Sequence, residues 1–325
     1  MTTTEFYAEI SNKTAYGIES NALRYTWAGY YLFVIASSLI GDTTILIASI
    51  KYKAFKLHRV IVVIIQHIAF CDLMVSVTYV LPNMVSVISD KWVLGNFFCY
   101  LYSYTTYYSN LTSSLLICTM TTSKLLLLKY PFRFGTTTSK KAHLICVACW
   151  LAAFILPVTS YLLDKDDVSF SFRGYICVYG FSSEIWHYLT PFVAVLFVFI
   201  PTCLVVLTTV CLLIEARKVV SRRRESLKWQ GIVTTVLTAT VYCLSLLPWI
   251  AYRVGESIVS VDDKSKSSFY TTFYRVAISL LSLNTISNFY IYCLTVSSFR
   301  AFIQLKMQQS YQYIANLKTS TCLGI

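Results

Sequence analysis

Residues 92–123 read WVLGNFFCYLYSYTTYYSNLTSSLLICTMTTS and contain no Asp, Glu, Lys or Arg. A helix needs about 20 predominantly apolar residues to cross the hydrocarbon core of a bilayer, so this stretch is long enough to span it. A strand of a transmembrane barrel crosses with only about 10 residues, in which apolar and polar residues alternate. This stretch is longer and does not alternate in that way. The stretch therefore predicts a membrane-spanning helix.

Six further stretches of the chain have similar length and little or no charge. They are 142–163, 185–214, 229–252 and 276–299, which are uncharged, and 25–50 and 60–89, which are interrupted only by Asp42 and Asp72. Lipid offers no partner to backbone polar groups, so each stretch must satisfy them internally as a helix. The sequence predicts an all-α fold, a seven-transmembrane helix bundle, with helices at about 27–51, 60–88, 96–129, 142–163, 187–216, 229–255 and 269–296.

The composition excludes several other classes of protein. The 325 residues are 56% apolar and only 13% charged, and the mean hydropathy is +0.62. A soluble domain has about 25% charged residues, so an ordinary cytosolic enzyme and a disordered chain are both disfavoured. We find no catalytic constellation, and the four histidines lack the spacing of metal ligands. We therefore predict neither an enzyme nor a metalloprotein.

The positive charges lie on alternate connections between the predicted helices. The segments 51–59, 124–141, 215–228 and 298–325 hold 18 of the 27 Lys and Arg but only two of the 15 Asp and Glu. By the positive-inside rule, the N-terminus lies outside and the tail in the cytoplasm. The net charge of +12 thus reflects membrane topology, and we predict no nucleic-acid partner because no basic face belongs to a soluble domain.

This topology divides the chain into three parts. We expect an extracellular N-terminus over 1–26, a seven-transmembrane domain over 27–296, and an interfacial helix with a cytoplasmic tail over 297–325. The interfacial helix, at about 298–309, has an apolar face and basic residues suited to membrane lipid.

Two N-glycosylation sequons differ in their expected location. Asn12-Lys13-Thr14 lies on the outer side, so we predict a glycan at Asn12. Asn110-Leu111-Thr112 lies within a predicted span, so we expect it to remain unmodified. Residues 1–21 are polar and lack an apolar core, and we therefore expect no cleavable signal peptide.

Landmark residues along the spans resemble those of the rhodopsin-like G-protein-coupled receptors. They are Trp92-Val93-Leu94-Gly95 with Cys99, His67-Ile68-Ala69-Phe70-Cys71-Asp72, Trp150, Pro201, Leu246-Leu247-Pro248 and Asn288-Phe289-Tyr290-Ile291-Tyr292. The resemblance covers about 30–305. It implies a multi-pass receptor of the cell membrane that binds an extracellular small molecule or peptide and signals through a heterotrimeric G protein. A divergent chemosensory receptor is compatible with these residues, and a peptide receptor is the nearest alternative within the family.

The inner end of the third helix departs from this resemblance. Counted from Cys99, the arginine of the family's Asp-Arg-Tyr motif falls at 124, where the sequence is Ser123-Lys124-Leu125. In the family, that arginine meets the G protein. Lys124 keeps the positive charge but lacks the planar donor fork, and Ser123 cannot form the restraining ion pair. We therefore retain a non-signalling, ligand-scavenging receptor as an alternative, and a transporter or channel as a more distant one.

The resemblance also implies a disulfide on the outer side. It pairs Cys99, at the start of the third helix, with Cys177 in the loop after the fourth. These two are the only cysteines of eleven that we place outside, where the oxidising environment permits a disulfide. The alternative is two free thiols.

A sodium-type polar site is implied around Asp72. The resemblance places Ser113, Asn284 and Asn288 around that carboxylate, and oxygen ligands of this kind suit a hard cation. The alternative is a hydrogen-bonded cluster without an ion, and we expect no other cofactor. Asp42 stands where the family normally has asparagine. We expect a protonated Asp42 to donate a hydrogen bond as an amide would, so that Asp42→Asn leaves folding nearly intact.

The ligand pocket is expected to open outward between the third, fifth, sixth and seventh helices. No acid lies between Lys91 and Lys124, which disfavours a biogenic amine as ligand. Arg253 and Arg275 either bind a carboxylate of the ligand or extend to the outer headgroups. The residues expected near the pocket, each of which has plain bundle packing as its alternative, are Thr106, Tyr107, Trp249, Ile250, Arg253, Arg275, Ile278 and Ser282.

Overall fold

The computed structural model describes residues 21–50, 55, 57–163, 168–171, 175–179, 199–220, 226–258 and 268–322. Eight helices longer than one turn occur in these ranges. They are α1 (Asn21–Ile50), α2 (Arg59–Ser89), α3 (Gly95–Lys129), α4 (Ser139–Leu163), α5 (Ile200–Val220), α6 (Ser226–Ile258), α7 (Ser268–Thr295) and α8 (Ser297–Cys322). A single helical turn, Pro131–Phe134, connects α3 to α4.

The helices agree with the predicted membrane spans. Within the described residues, α1, α2, α3, α5, α6 and α7 are long and apolar enough to cross a bilayer. The 25-residue α4 supplies the remaining span, since its stretch 142–163 carries no charged residue. These seven helices with α8 confirm the predicted all-α, seven-helix bundle.

Several helix bounds differ from the sequence-based expectation. Helix α1 is described from Asn21 rather than from near 27, and in this added turn Arg24 donates to the carbonyls of Val87 and Ile88 at the outer end of α2. Helix α8 continues to Cys322 in the tail, well beyond the expected end at 309. The expected start of the fifth helix, 187–198, lies outside the described residues.

Helix α2 contains a π-helical turn that positions its outer half. The turn covers Ser76–Val80 and lies just before Pro82. A proline inside a helix removes one backbone hydrogen bond and crowds the preceding turn, and a π turn accommodates that crowding. The Ser76 hydroxyl adds a hydrogen bond of 3.1 Å to the carbonyl of Asp72.

Helix α3 occupies the middle of the bundle and contacts α2, α4, α5 and α6. Its inner half packs in an aliphatic core that includes Leu116, Ile117 and Met120. Its outer half packs in a second core that is rich in aromatic side chains, among them Tyr102. The two cores meet near mid-membrane, where the polar residues of the candidate site lie.

A polar relay joins α2 to α4 on the side of the bundle away from α6. The Trp150 indole N–H donates to Nδ1 of His67 over 3.2 Å. The second ring nitrogen of His67 lies 3.1 Å from Nδ1 of His143. Since His67 accepts from Trp150 at Nδ1, its Nε2 carries the proton and donates to His143.

A two-stranded antiparallel hairpin covers the outer end of the bundle. Its strands, β1 (Val168–Ser171) and β2 (Ile176–Tyr179), pair so that Phe170 lies opposite Cys177. Ile176 and Cys177 are buried against the helices. The hairpin therefore closes part of the outer opening of the bundle.

Candidate functional site

A disulfide fixes the hairpin to the start of α3. Cys99 and Cys177 are bonded, with their Cα atoms 5.4 Å apart, and both are buried. The pairing expected from the resemblance is therefore confirmed. It holds β2 over the outer end of α3, so that the hairpin and α3 together border the cavity below.

An aromatic layer lies between the outer surface and that cavity. The rings of Tyr252 and Tyr274 have centroids 4.5 Å apart, and Trp249 stacks on Tyr252 at 6.1 Å. Tyr252 and Tyr274 are buried, and Trp249 is half-buried. This layer joins α6 to α7 above the cavity.

The cavity has a volume of about 90 Å³ and lies between α2, α3, α6, α7 and the hairpin. Of the residues predicted near the pocket, Thr106, Tyr107, Trp249 and Ile278 line it. The structure thus brings residues of α3, α6 and α7 together around one space. They remain predicted ligand contacts.

The other predicted pocket residues lie elsewhere. Ile250 is half-buried against the aliphatic core. Ser282 is fully buried and donates to the carbonyl of Ser279 over 2.7 Å. The Arg275 guanidinium lies 5.0 Å from the centre of the Tyr175 ring, in the turn of the hairpin. The side chain of Arg253 lies outside the part of the structure that is described.

Several residues that line the cavity were not predicted from the sequence to lie at the pocket. The most informative is Asn110, which lies one turn from Thr106 on the same face of α3. Its side-chain N–H donates to the Thr106 carbonyl over 2.8 Å. The spacing of four residues between Thr106 and Asn110 was the available signal. The other missed lining residues include Tyr79, Tyr102, Ser103, Tyr242 and Leu246.

A second, smaller cavity lies directly beneath the first. Its volume is about 20 Å³, and Asp72, Ser113 and Asn284 line it. Asp72 is 1% exposed and accepts a hydrogen bond of 2.8 Å from the amide of Asn288. The structure thus brings the four residues of the predicted sodium-type site together around one carboxylate.

The oxygens of this polar cluster are only partly satisfied within the described residues. The side-chain oxygens of Asn284 and Asn288 are buried there without a hydrogen-bond partner. Buried polar atoms almost always have partners, and because Asn284 lines the small cavity, its oxygen points to a water molecule or an ion there. Carboxylate, amide and hydroxyl oxygens are also the donor set that a hard cation prefers. The residues therefore fit a sodium ion.

Asp42 lies on α1 and is fully buried. The Ser38 hydroxyl donates to its Oδ2 over 2.6 Å, and its Oδ1 has no partner among the described residues. The neighbouring Gly41 faces Phe289, such that a Cβ at Gly41 would lie 2.8 Å from the Cβ and Cγ of Phe289. A glycine is therefore required where α1 crosses α7 at this depth.

The inner end of α3 carries the three residues expected to face a G protein. Ser123, Lys124 and Leu125 are all half-buried. Leu125 packs against the core formed by Leu212, Ala216 and Ile232 of α5 and α6. Leu125 thus lies where α3, α5 and α6 meet, whereas no described contact places Ser123 there.

The Lys124 side chain lies over Gly231 of α6. A Cβ added at Gly231 would be 2.5 Å from Lys124 Nζ and 3.2 Å from a methyl of Leu57. The ion pairs among the described residues are Arg24–Asp90 and Lys218–Glu215, and neither involves Lys124. Its charge thus rests against a helix backbone that lacks a side chain at the contact.

The predicted glycan site, Asn12, lies outside the described residues. The second sequon asparagine, Asn110, lies inside α3 and faces the cavity.

Comparison with known proteins identifies related sequences over most of the chain. The sequence model of the family described as "7 transmembrane receptor (rhodopsin family)" matches residues 41–292. Cysteinyl leukotriene receptor 1 of Cavia porcellus is 20% identical over 260 residues, which cover 75% of this chain and 72% of that protein. Neuropeptide Y receptor type 5 of Rattus norvegicus is 25% identical over 169 residues, covering 50% and 37%. Probable G-protein coupled receptor 45 of Mus musculus is 23% identical over 313 residues, covering 86% and 82%.

Proposed function

The chain belongs to the rhodopsin family of seven-transmembrane receptors, and we propose how this G-protein-coupled receptor of the cell membrane binds its ligand and signals. The observation that carries the proposal is the cavity of about 90 Å³ above the polar cluster. It is bordered by helices of both halves of the bundle and by the disulfide-linked hairpin. A ligand held there contacts α3, α6 and α7 at once.

The ligand contacts are assigned to residues that line this cavity. We assign ligand contacts to Thr106 and Tyr107 on α3, to Trp249 on α6 and to Ile278 on α7, all of which line the cavity. The related receptors are named for a leukotriene and for a neuropeptide. A small molecule or a peptide is thus the broad class of extracellular ligand for this chain. Receptors of this family are not enzymes, and we assign no catalytic role to any residue.

Signalling requires that the ligand favour one of two packings of the bundle. A ligand shifts such an equilibrium only by its difference in affinity for the two states. In the packing described above, Lys124 of α3 rests on Gly231 of α6. We assign to the other packing a separation of these inner ends, which exposes Lys124 to a heterotrimeric G protein.

The polar cluster around Asp72 is proposed to hold a sodium ion. The support is its set of oxygen atoms and the small cavity of about 20 Å³ that they border. Asp72 supplies the charge, while Ser113, Asn284 and Asn288 supply neutral oxygens. An ion there would stabilise the packing in which α2, α3 and α7 lie close together.

Guanine-nucleotide exchange in membranes that express the chain tests the proposed function. The comparison includes Lys124→Arg, Lys124→Ala and a control, Lys129→Ala, which removes an exposed lysine from the same helix end. We expect exchange above that of empty membranes, a loss in Lys124→Ala and little change in Lys129→Ala.

Two other outcomes would change the assignment. Exchange that is absent from the native chain but present in Lys124→Arg would mean that the fold is competent and the native lysine mutes signalling. The second outcome is that the receptor binds and internalises an extracellular ligand, while neither the native chain nor Lys124→Arg catalyses nucleotide exchange. That outcome would support a scavenging receptor instead.

A further inference from the structure

The larger cavity is uncharged wherever its lining is described. The lining consists of aromatic, aliphatic, hydroxyl and amide side chains. The sequence over 185–214, which includes the fifth span, likewise has no Asp, Glu, Lys or Arg. Arg275, near the outer end of α7, lies over the Tyr175 ring of the hairpin. An ion entering the cavity would lose its hydration without gaining a countercharge from the described lining, which is costly. The Asp72 carboxylate lies in the smaller cavity below, where it accepts from the amide of Asn288 and is the charge that we assign to the sodium ion.

One amide group faces the cavity from its floor. Asn110 lies in the middle of α3, is exposed, and lines both the larger and the smaller cavity. Its hydrogen bond to the Thr106 carbonyl fixes the orientation of the amide, since only the nitrogen can donate to a carbonyl oxygen. One N–H and the Oδ1 of Asn110 then remain for a ligand, and no described group donates to that Oδ1.

The rest of the cavity is largely apolar. Leu246 and Ile278 border it from α6 and α7, and the rings of Tyr102 and Trp249 border it from α3 and α6. Its volume of about 90 Å³ is several times the roughly 10–15 Å³ of cavity volume that one water molecule needs, so the cavity has room for a small organic molecule.

We propose that the ligand is a small, uncharged molecule with an apolar body and one amide or hydroxyl group, and that this group binds Asn110. This ligand class rests on the proposed function, because it is assigned to the same ligand cavity. A primary amide matches Asn110 in both directions, because it donates to Oδ1 and accepts from the remaining N–H. A hydroxyl matches it likewise, with one donor and one acceptor.

Four probes of nearly equal size test the ligand class. Butanamide and butan-1-ol are uncharged, butanoate is an anion and butylammonium is a cation. Their binding to the purified full-length receptor is measured by saturation-transfer NMR, with receptor-free micelles as the reference. We expect butanamide and butan-1-ol to give signals above the micelle reference, and at least about five-fold larger than those of the two ions.

Three variants locate that binding. Asn110→Leu should lower the butanamide signal at least about five-fold, whereas Asn96→Leu, on the exposed first turn of the same helix, should not change it. Asn110→Asp should exchange the preference, so that butylammonium binds and butanamide does not. Because Asn110→Asp is expected to gain binding of butylammonium, that result would show that this variant is folded. The test therefore does not depend on whether Asn110→Leu folds.

Three results would overturn the proposal. They are equal binding of an ion and butanamide to the native receptor, unchanged butanamide binding in Asn110→Leu, and no butanamide binding above the micelle reference. Nucleotide exchange is measured on the same preparations. Butanamide binding without nucleotide exchange would refute the proposed signalling but not the ligand class. Nucleotide exchange without butanamide binding would refute the ligand class but not the proposed signalling.

Discussion

The contact between Lys124 and Gly231 predicts the effect of a single methyl group. In Gly231→Ala, the new Cβ would lie 2.5 Å from Lys124 Nζ and 3.3 Å from its Cε. The nitrogen is the end of a flexible side chain, so the lysine moves and the helix backbone stays in place. The variant should therefore fold, and an alanine gains about 1 kcal/mol of helix propensity over glycine.

The magnitude follows from the displaced lysine. A side chain forced about 30° from a rotamer minimum loses about 0.5–1.5 kcal/mol. This cost applies only while the inner ends of α3 and α6 are in contact, whereas the gain in helix propensity applies in both packings. The equilibrium thus shifts by about 1 kcal/mol toward the separated packing, or about five-fold in population. We expect basal nucleotide exchange to rise by a similar factor.

An assay independent of the G protein separates packing from coupling. An environment-sensitive fluorescent amino acid replaces Trp229, which is 47% exposed at the inner end of α6. Its emission should change in Gly231→Ala and remain unchanged in Gly29→Ala, a helical glycine with nothing within 4 Å of an added Cβ. In a Lys124→Ala background, Gly231→Ala should change the emission little. An equal change with and without the lysine would refute this reasoning.

Three further predictions concern α1 and the outer disulfide. Asp42→Asn should leave surface expression and thermal stability nearly unchanged, because an amide oxygen can still accept from the Ser38 hydroxyl; a large loss of either would contradict this. Gly41→Ala should lower stability by about 1–3 kcal/mol, as overpacking against the near atoms of Phe289 forces α1 from α7, and the unfolding midpoint is compared with that of Gly29→Ala. Cys99→Ser opens a link that spans 78 residues and should lower stability by about 2–5 kcal/mol, whereas Cys203→Ser, at an exposed free thiol, should change the midpoint little.

The spans were predictable from the sequence because lipid imposes a constraint that acts on every residue of a stretch. An uncharged run such as 92–123 has no other stable arrangement in a bilayer, and it forms most of α3. The ends of helices were less predictable, because contacts beyond the spans extend them. Arg24, near the start of α1, donates to carbonyls at the end of α2, and no local pattern in α1 encodes that contact.

The candidate site was predictable only where a resemblance supplied the register. The group around Asp72 came from that register and lies together in the structure. Asn110 was missed because its sequence context favoured interpretation as a buried glycosylation sequon. Its role at the floor of the cavity depends on the neighbouring helices, which determine where space remains around α3. The contact between Lys124 and Gly231 joins residues that are far apart in the chain, so no local sequence pattern predicts it either.

The ligand cavity, the polar cluster and the inner contact all involve one helix, and this limits how they can communicate. Asn110, Ser113 and Lys124 all belong to α3, and the roughly 14 residues from Asn110 to Lys124 rise by about 21 Å. About 14 residues are close to four turns, so the first and last of these side chains leave the helix on nearly the same face. A continuous helix moves as a rigid element, so a ligand at Asn110 has little means of displacing Lys124 relative to α3. The signal must instead pass through helices that move against α3, and α6 is the one that both borders the ligand cavity through Trp249 and supports Lys124 through Gly231.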